Sequence, residues 1–129
     1  TRSSAASDVY KRQLSESMGL FSDVYFTPIA ASELICIVEV LVQKNRSGIY
    51  HVVGSERISK YHFGILVAES LEIKPESLIQ SSLLERRDLV KRPLDMSLSN
   101  SKIKNEIEPM FEGLRASLKK IAQDRNNER

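Results

Sequence analysis

Between Glu33 and Leu71 the apolar residues change period twice, and this alternation restricts the fold more than any other feature of the chain. Leu34, Ile37, Val38, Leu41 and Val42 recur at intervals of three and four, which predicts a helix from about Glu33 to Lys44 with those side chains on its buried face. Ser32 is a suitable N-cap, and Glu33 faces the positive end of the helix dipole. Asn45 and the pair Ser47-Gly48 end the helix. The segment Ile49–Val53 then reads as a strand closed by Gly54; it is apolar apart from His51, which predicts a place within a sheet rather than at a wet edge. Ser59 caps a second helix, about Lys60 to Leu71, with Phe63, Leu66, Val67, Ser70 and Leu71 inward. Strands separated by helices imply crossover connections, and crossovers imply parallel strands.

The flanks continue the pattern with shorter pieces. Leu14–Gly19 is ambiguous. Phe21–Ile29 carries the strand formers Val24, Tyr25, Phe26, Thr27 and Ile29, while Pro28 confines it to an edge or a strand end. Pro75 opens a short turn, and Leu78–Ser81 is a further short strand. Leu84–Leu89 is a charged loop. Met96–Leu98 is a short strand, and Ser99 or Asn100 caps a helix from Ser101 to Ile107 that stops before Pro109. A last helix runs from about Met110 to Gln123, with Phe111, Leu114, Leu118 and Ile121 on one face. The predicted class is α/β or α+β, with short strands and about four helices. A sheet of so few strands is incomplete unless it joins one supplied elsewhere.

At 129 residues, 41% of them apolar, the chain holds one domain at most. Its 19 basic and 17 acidic residues leave a net charge of +2, which gives no general argument for nucleic acid or an anionic membrane as partner. The single cysteine, Cys36, excludes an internal disulfide and fits a reducing, cytoplasmic setting. The longest apolar run, Leu34–Val42, is broken by Glu39 and falls short of the roughly 20 residues of a membrane span. The first residues lack the apolar core of a signal peptide. Residues 1–13 are polar and aperiodic, and Asp8–Gln13 resembles the translation of a transposon adapter used in sequencing libraries. They are set aside as a non-native or disordered leader, leaving residues 14–123 as the folded part and 124–129 as a polar tail.

Few residues offer chemistry. His51 reads as a packed or rim histidine and His62 as a solvated one. No serine stands in a nucleophile elbow, and no cluster of His, Cys and carboxylates has metal-ligand spacing. The turn after Val53, with Gly54 and Ser55, could offer backbone amides to a phosphate, but one glycine after a strand is more often an ordinary turn. The helix after Ile58 lacks the second helix and basic face of a DNA-binding pair. Arg86, Arg87, Lys91 and Arg92 fall within seven residues. A guanidinium can hold two phosphate oxygens at once. Glu85 and Asp88 offset Arg86 and Arg87, which therefore read as a solvated loop. Arg92 stands out because Pro93 stiffens the chain after it and the segment from Asp95 to Asn100 fixes where the loop points.

The order of these pieces is similar to a known family. Tyr25–Ile29 precedes a helix carrying Ser32-Glu33-Leu34; then come Ser47–Gly54, the helix opening Ile58–Phe63, Lys91–Leu98 with Asn100-Ser101-Lys102, and Glu112–Arg115. This succession, over roughly Phe21 to Lys120, resembles the C-terminal substrate-binding part of dTDP-4-dehydrorhamnose reductases and related extended short-chain dehydrogenases. The resemblance implies a Rossmann-like enzyme that reduces a 4-keto sugar on a nucleoside diphosphate with NADPH or NADH. In such enzymes an N-terminal Rossmann domain holds the cofactor on a Gly-rich turn and carries a catalytic Tyr and Lys. Neither the turn nor a Tyr-x-x-x-Lys pair occurs in the 129 residues, so the chain is expected to be a substrate-binding piece, without cofactor or turnover of its own.

The same resemblance assigns Arg92 to the diphosphate and, by the matching cleft segment, Thr27 and Pro28 to the substrate. The expected partners are a nucleoside-diphosphate sugar and the absent Rossmann half, with a homo-oligomer left open and no nucleic acid or membrane. An arginine found near Phe26 in epimerase-like relatives is absent, which favours the reductase branch over epimerases; a nucleotide-sugar epimerase or dehydratase is one alternative. A non-catalytic regulatory or binding module of the same fold is the other alternative. A piece of this kind is also expected to expose the apolar face that packs on the Rossmann sheet, and so to self-associate.

Overall fold

The computed structural model describes residues 17–107 and 111–129. The leader 1–13, the start of the ambiguous Leu14–Gly19 piece, Pro109 and Met110 lie outside the described residues. The elements in order are β1 (Met18–Phe21), β2 (Tyr25–Phe26), α1 (Ala31–Gln43), β3 (Ile58–Ser59), α2 (Lys60–Ser70), a 3₁₀ turn (Pro75–Ser77), β4 (Leu78–Ser81), α3 (Ser101–Glu106) and α4 (Leu114–Asn127). The class is mixed α/β with short strands. The chain divides into two compact units, residues 1–24 with 59–94 and residues 25–58 with 95–129.

In the first unit β1 and β4 pair in parallel, Met18 opposite Leu78 and Phe21 opposite Ser81, as crossover connections require. Ser22 N extends the ladder to Ser81 O at 2.9 Å. The Phe21–Ile29 piece read from sequence is split: Phe21 ends β1, and Tyr25–Phe26 forms the short β2 paired with β3, while between them the Ser22 and Asp23 side chains hydrogen-bond to Ser81 O and Ser82 Oγ. Helix α2 packs on both strands and begins where expected, with Ser59 Oγ accepting from His62 N at 3.2 Å. Its buried residue is Ala68, while Phe63, Leu66 and Val67 are half-buried. A Cβ at Gly64 would lie 2.3 Å from Leu20 Cδ1, so the small residue lets the helix approach the sheet.

In the second unit Ile37, Ile103 and Ile107 form the buried core, with Ile29, Val40, Leu41, Tyr50, Val52 and Phe111 packed around it. Helix α1 therefore buries Ile37 with Val40 and Leu41 at its side, and leaves Leu34, Val38 and Val42 exposed. The sequence stripe placed Leu34, Ile37, Val38, Leu41 and Val42 inward and did not include Val40; a helix that meets its core along one narrow line covers only part of so broad a stripe. Ser32 is not the cap either: the helix starts at Ala31, and Ala30 at the N-cap makes no side-chain bond.

Ile49–Val53 does not join a ladder among the described residues. Side chains take its carbonyls instead, Lys102 Nζ on Ile49 O at 2.8 Å and Asn100 Nδ2 on Val53 O at 3.1 Å. Met96–Leu98 is likewise no strand. It touches the β2 segment through one parallel bridge, Tyr25 to Asp95, with Met96 N on Tyr25 O at 2.9 Å. Asn100 stands at the N-cap of α3 but turns its amide to Val53 and Ser55, and Ser99 Oγ accepts from Ser101 N at 3.3 Å. The last helix starts four residues later than Met110, after Gly113, and continues through Asn127 into the expected tail.

Candidate functional site

The first unit carries a hollow of about 290 Å³ on the side of the turn that follows β4. Asp23, just beyond β1, fixes the turn that supplies Leu83 and Leu84 to its lining. The carboxylate accepts from Ser82 Oγ at 2.6 Å, Leu83 N at 2.8 Å and Leu84 N at 3.2 Å, and so holds the 82–84 turn. Those three bonds hold the Asp23 carboxyl below its usual range, against the opposing effect of desolvation. Two further tight turns follow, with Arg86 N on Leu83 O at 3.1 Å and Leu89 N on Arg86 O at 3.4 Å.

The resulting wall combines Leu83, Leu84, Leu89, Val90 and Leu94 with Arg86, Lys91 and Arg92. Apolar walls with a few convergent charges are the usual make-up of a ligand site, and this volume suits part of a ligand rather than a whole nucleotide sugar. Arg86 is engaged: its Nε and Nη2 reach the two oxygens of Asp88 at 2.7 and 2.6 Å. That bidentate contact raises the Arg86 pKa and pulls the Asp88 carboxyl down to about 2. Arg92 is exposed, and among the described residues no hydrogen bond or ion pair engages it.

Thr27 and Pro28 belong to the second unit, so the structure does not bring the three sequence-derived site residues into one unit. Thr27 Oγ1 accepts from Leu98 N at 3.3 Å. Pro28 lies against Gly54, where an added Cβ would stand 1.9 Å from the Pro28 carbonyl oxygen. The turn after Val53 is thus filled by protein backbone, which answers the phosphate-cradle reading of Gly54. A second, smaller hollow of about 90 Å³ lies near Pro28 and is ringed by Glu33, Glu56 and Glu112. Glu56 Oε1 accepts from Leu114 N at 3.0 Å and Glu33 Oε1 from Glu112 N at 2.6 Å, and Glu112 pairs with Lys120. These carboxylates serve the start of α4, and their sign repels a diphosphate.

Sequence reading did not find the Arg57–Asp95 pair. Arg57 Nε and Nη2 both reach Asp95 Oδ2, at 3.2 and 3.0 Å, and the guanidinium lies 3.8 Å over the Tyr25 ring. Asp95 Oδ1 also accepts from Ser97 Oγ at 2.6 Å and Ser97 N at 3.0 Å. The Ser97 bonds first, and Arg57 after them, hold the Asp95 carboxyl down to about 2. A depressed carboxyl stabilises the fold above its unfolded pKa of 3.8 and loses that contribution as pH falls towards 2. Acid unfolding should therefore steepen between about pH 4 and pH 2, and less so in Asp95→Asn. Identical acid profiles for the two proteins would remove Asp95 from the linkage.

The described residues hold no group of three or more His, Cys, Asp or Glu able to bind a metal ion. His51 is exposed, and His62 sets its Nδ1 against Ser59 Oγ at 2.8 Å. No described helix is long and apolar enough to cross a membrane.

The profile of the family described as the RmlD substrate binding domain matches residues 9–127. Comparison with curated proteins gives no match. Among solved structures, a hypothetical dTDP-4-dehydrorhamnose reductase from Sulfolobus tokodaii is 27% identical, with a TM-score of 0.63 over 78% of this chain and 37% of that one. A dTDP-4-dehydrorhamnose reductase from Clostridium acetobutylicum is 17% identical, with a TM-score of 0.75 over 94% of this chain and 43% of that one. A dTDP-glucose 4,6-dehydratase from Bacillus anthracis, solved in complex with NAD, is 14% identical with a TM-score of 0.68, covering 93% and 38%. The chain thus spans about two fifths of the length of these structures.

Proposed function

Because the chain belongs to the RmlD substrate binding domain family, we propose that it is the sugar-nucleotide-binding part of a dTDP-4-dehydrorhamnose reductase, acting in dTDP-rhamnose biosynthesis. The observation that carries this reading is the first-unit hollow, where Arg92 stands unengaged beside Lys91 above a wall of leucines. Arg92 neutralises the diphosphate through a charge-assisted contact, its planar guanidinium able to hold two phosphate oxygens at once. The orienting gain in the intact enzyme is positional: a diphosphate fixed at one end restricts where the sugar can lie.

The family resemblance implies a hydride drawn from NADPH or NADH. The described residues do not fit that cofactor. Gly54 is packed on the Pro28 carbonyl, Gly64 on Leu20, and no glycine stands between β3 and α2, where Ser59 caps the helix. Cofactor binding and the Tyr and Lys pair are therefore assigned to a Rossmann segment outside these residues, and this chain's part is to hold and orient the sugar nucleotide.

Titration of the chain with dTDP tests the reading. Arg92→Ala should weaken binding by roughly 2 kcal/mol, the value of a charge-assisted contact, or about thirtyfold. Equal affinities in the parent and Arg92→Ala would remove Arg92 from the site, and no binding by the parent would remove the hollow.

A further inference from the structure

Arg86 and Arg92 line the same hollow, but only Arg86 is engaged. Its partner Asp88 does not line the hollow. The carboxylate thus engages the guanidinium of a residue that lines the hollow without lining it itself. The two side chains are 48% and 61% exposed, so water screens their attraction and the pair is easily exchanged. They lie two residues apart in a run of tight turns, so exchange needs only side-chain rotation. Asp88 presents its two oxygens to Nε and Nη2, the same fork that a phosphate group would occupy.

We propose that Arg86 is a second diphosphate ligand, latched by Asp88 in the empty site and released to the phosphate when the diphosphate enters beside Arg92. Asp88 is then a specificity element. A ligand with a single negative charge gains little by displacing a carboxylate, whereas a diphosphate brings more charge and two phosphoryl groups, one for each arginine. The latch rests on the diphosphate reading of Arg92 and adds to it a second ligand and a reason to discriminate against weaker anions.

The test is a double-mutant cycle read by calorimetric titration of the chain with inorganic pyrophosphate and with dTDP. Asp88→Asn should tighten pyrophosphate binding roughly tenfold. The gain should vanish in Asp88→Asn/Arg86→Gln. Glu85→Gln removes the same charge from the same loop without touching the latch, and should change affinity much less. All of these side chains are exposed, and an unchanged circular dichroism spectrum verifies the fold of each variant. A parent that binds while Asp88→Asn binds no better overturns the latch alone. So does a gain that survives loss of Arg86, or one matched by Glu85→Gln, since either is a general charge effect. A parent that binds neither ligand overturns the diphosphate reading and the latch together.

Discussion

Ile103→Ala should lower the stability of the second unit by about 3 kcal/mol, a large share of the stability of a small domain. Ile103 is 0% exposed and is the largest fully buried side chain among the described residues. Its partners in the core are Ile37 from α1 and Ile107 at the end of its own helix. Helix α3 has only six residues, too few to hold itself by backbone bonds, so the packing of Ile103 is what keeps it in place. The same helix holds Lys102, which takes the Ile49 carbonyl and lies 4.1 Å over the Tyr50 ring, and Glu106, which accepts from Tyr50 Oη at 2.5 Å. A cavity at Ile103 therefore loosens the Ile49–Val53 segment as well. Urea unfolding followed by far-ultraviolet circular dichroism checks this, since the chain has no tryptophan. Ile103→Val, which removes one methyl group, should cost about 1 kcal/mol. Equal midpoints for the parent and the alanine variant would mean that the core lies elsewhere.

What could be read from sequence divides along the range of the interactions involved. Ser59 and its helix and the Pro75 turn depend on neighbours within a few residues, and each stands where local chemistry put it. The Leu78–Ser81 strand also stands where its residues put it, although its partner is the distant β1. From sequence Glu85 and Asp88 are only charges offsetting a solvated loop; the bidentate Arg86–Asp88 pair is a finding of the structure. Arg57 and Asp95 are 38 residues apart, and Asp23 is about 60 from the turn it holds, so neither contact leaves a local pattern. Ile49–Val53 has the composition of a strand, yet a strand is defined by a partner backbone. Here the partners are the side chains of Lys102 and Asn100. Helix α1 shows the converse: its stripe was read correctly as helical, but how much of it is covered depends on what packs there. The candidate site was half legible. Arg92 stands out through Pro93 and the segment after it and takes its diphosphate role from the family resemblance, while the leucines that line a hollow beside it come together through the turn fixed by Asp23.

Gly54→Ala should be nearly as damaging as the loss of Ile103, by about 3 kcal/mol, although it adds only one methyl group. A Cβ at that position would stand 1.9 Å from the Pro28 carbonyl oxygen and 3.0 Å from its carbon. Both are backbone atoms, so no rotamer change relieves the overlap. Pro28 cannot retreat cheaply, because Ile29 beside it packs on the core and Ala31 starts α1 two residues later. Nor can the 53–55 segment move alone, since Asn100 Nδ2 binds Val53 O and Ser55 Oγ, both at 3.1 Å. The strain should therefore spread to Thr27, whose hydroxyl receives Leu98 N. Ser55→Ala is the matched control: it removes one acceptor of Asn100 without adding bulk, and should cost about 1 kcal/mol or less. Urea midpoints for the two variants decide between the explanations. If Gly54→Ala unfolds where Ser55→Ala does, the close approach of Gly54 to Pro28 contributes nothing, and the glycine's place after Val53 needs the ligand-facing role that the packing argues against.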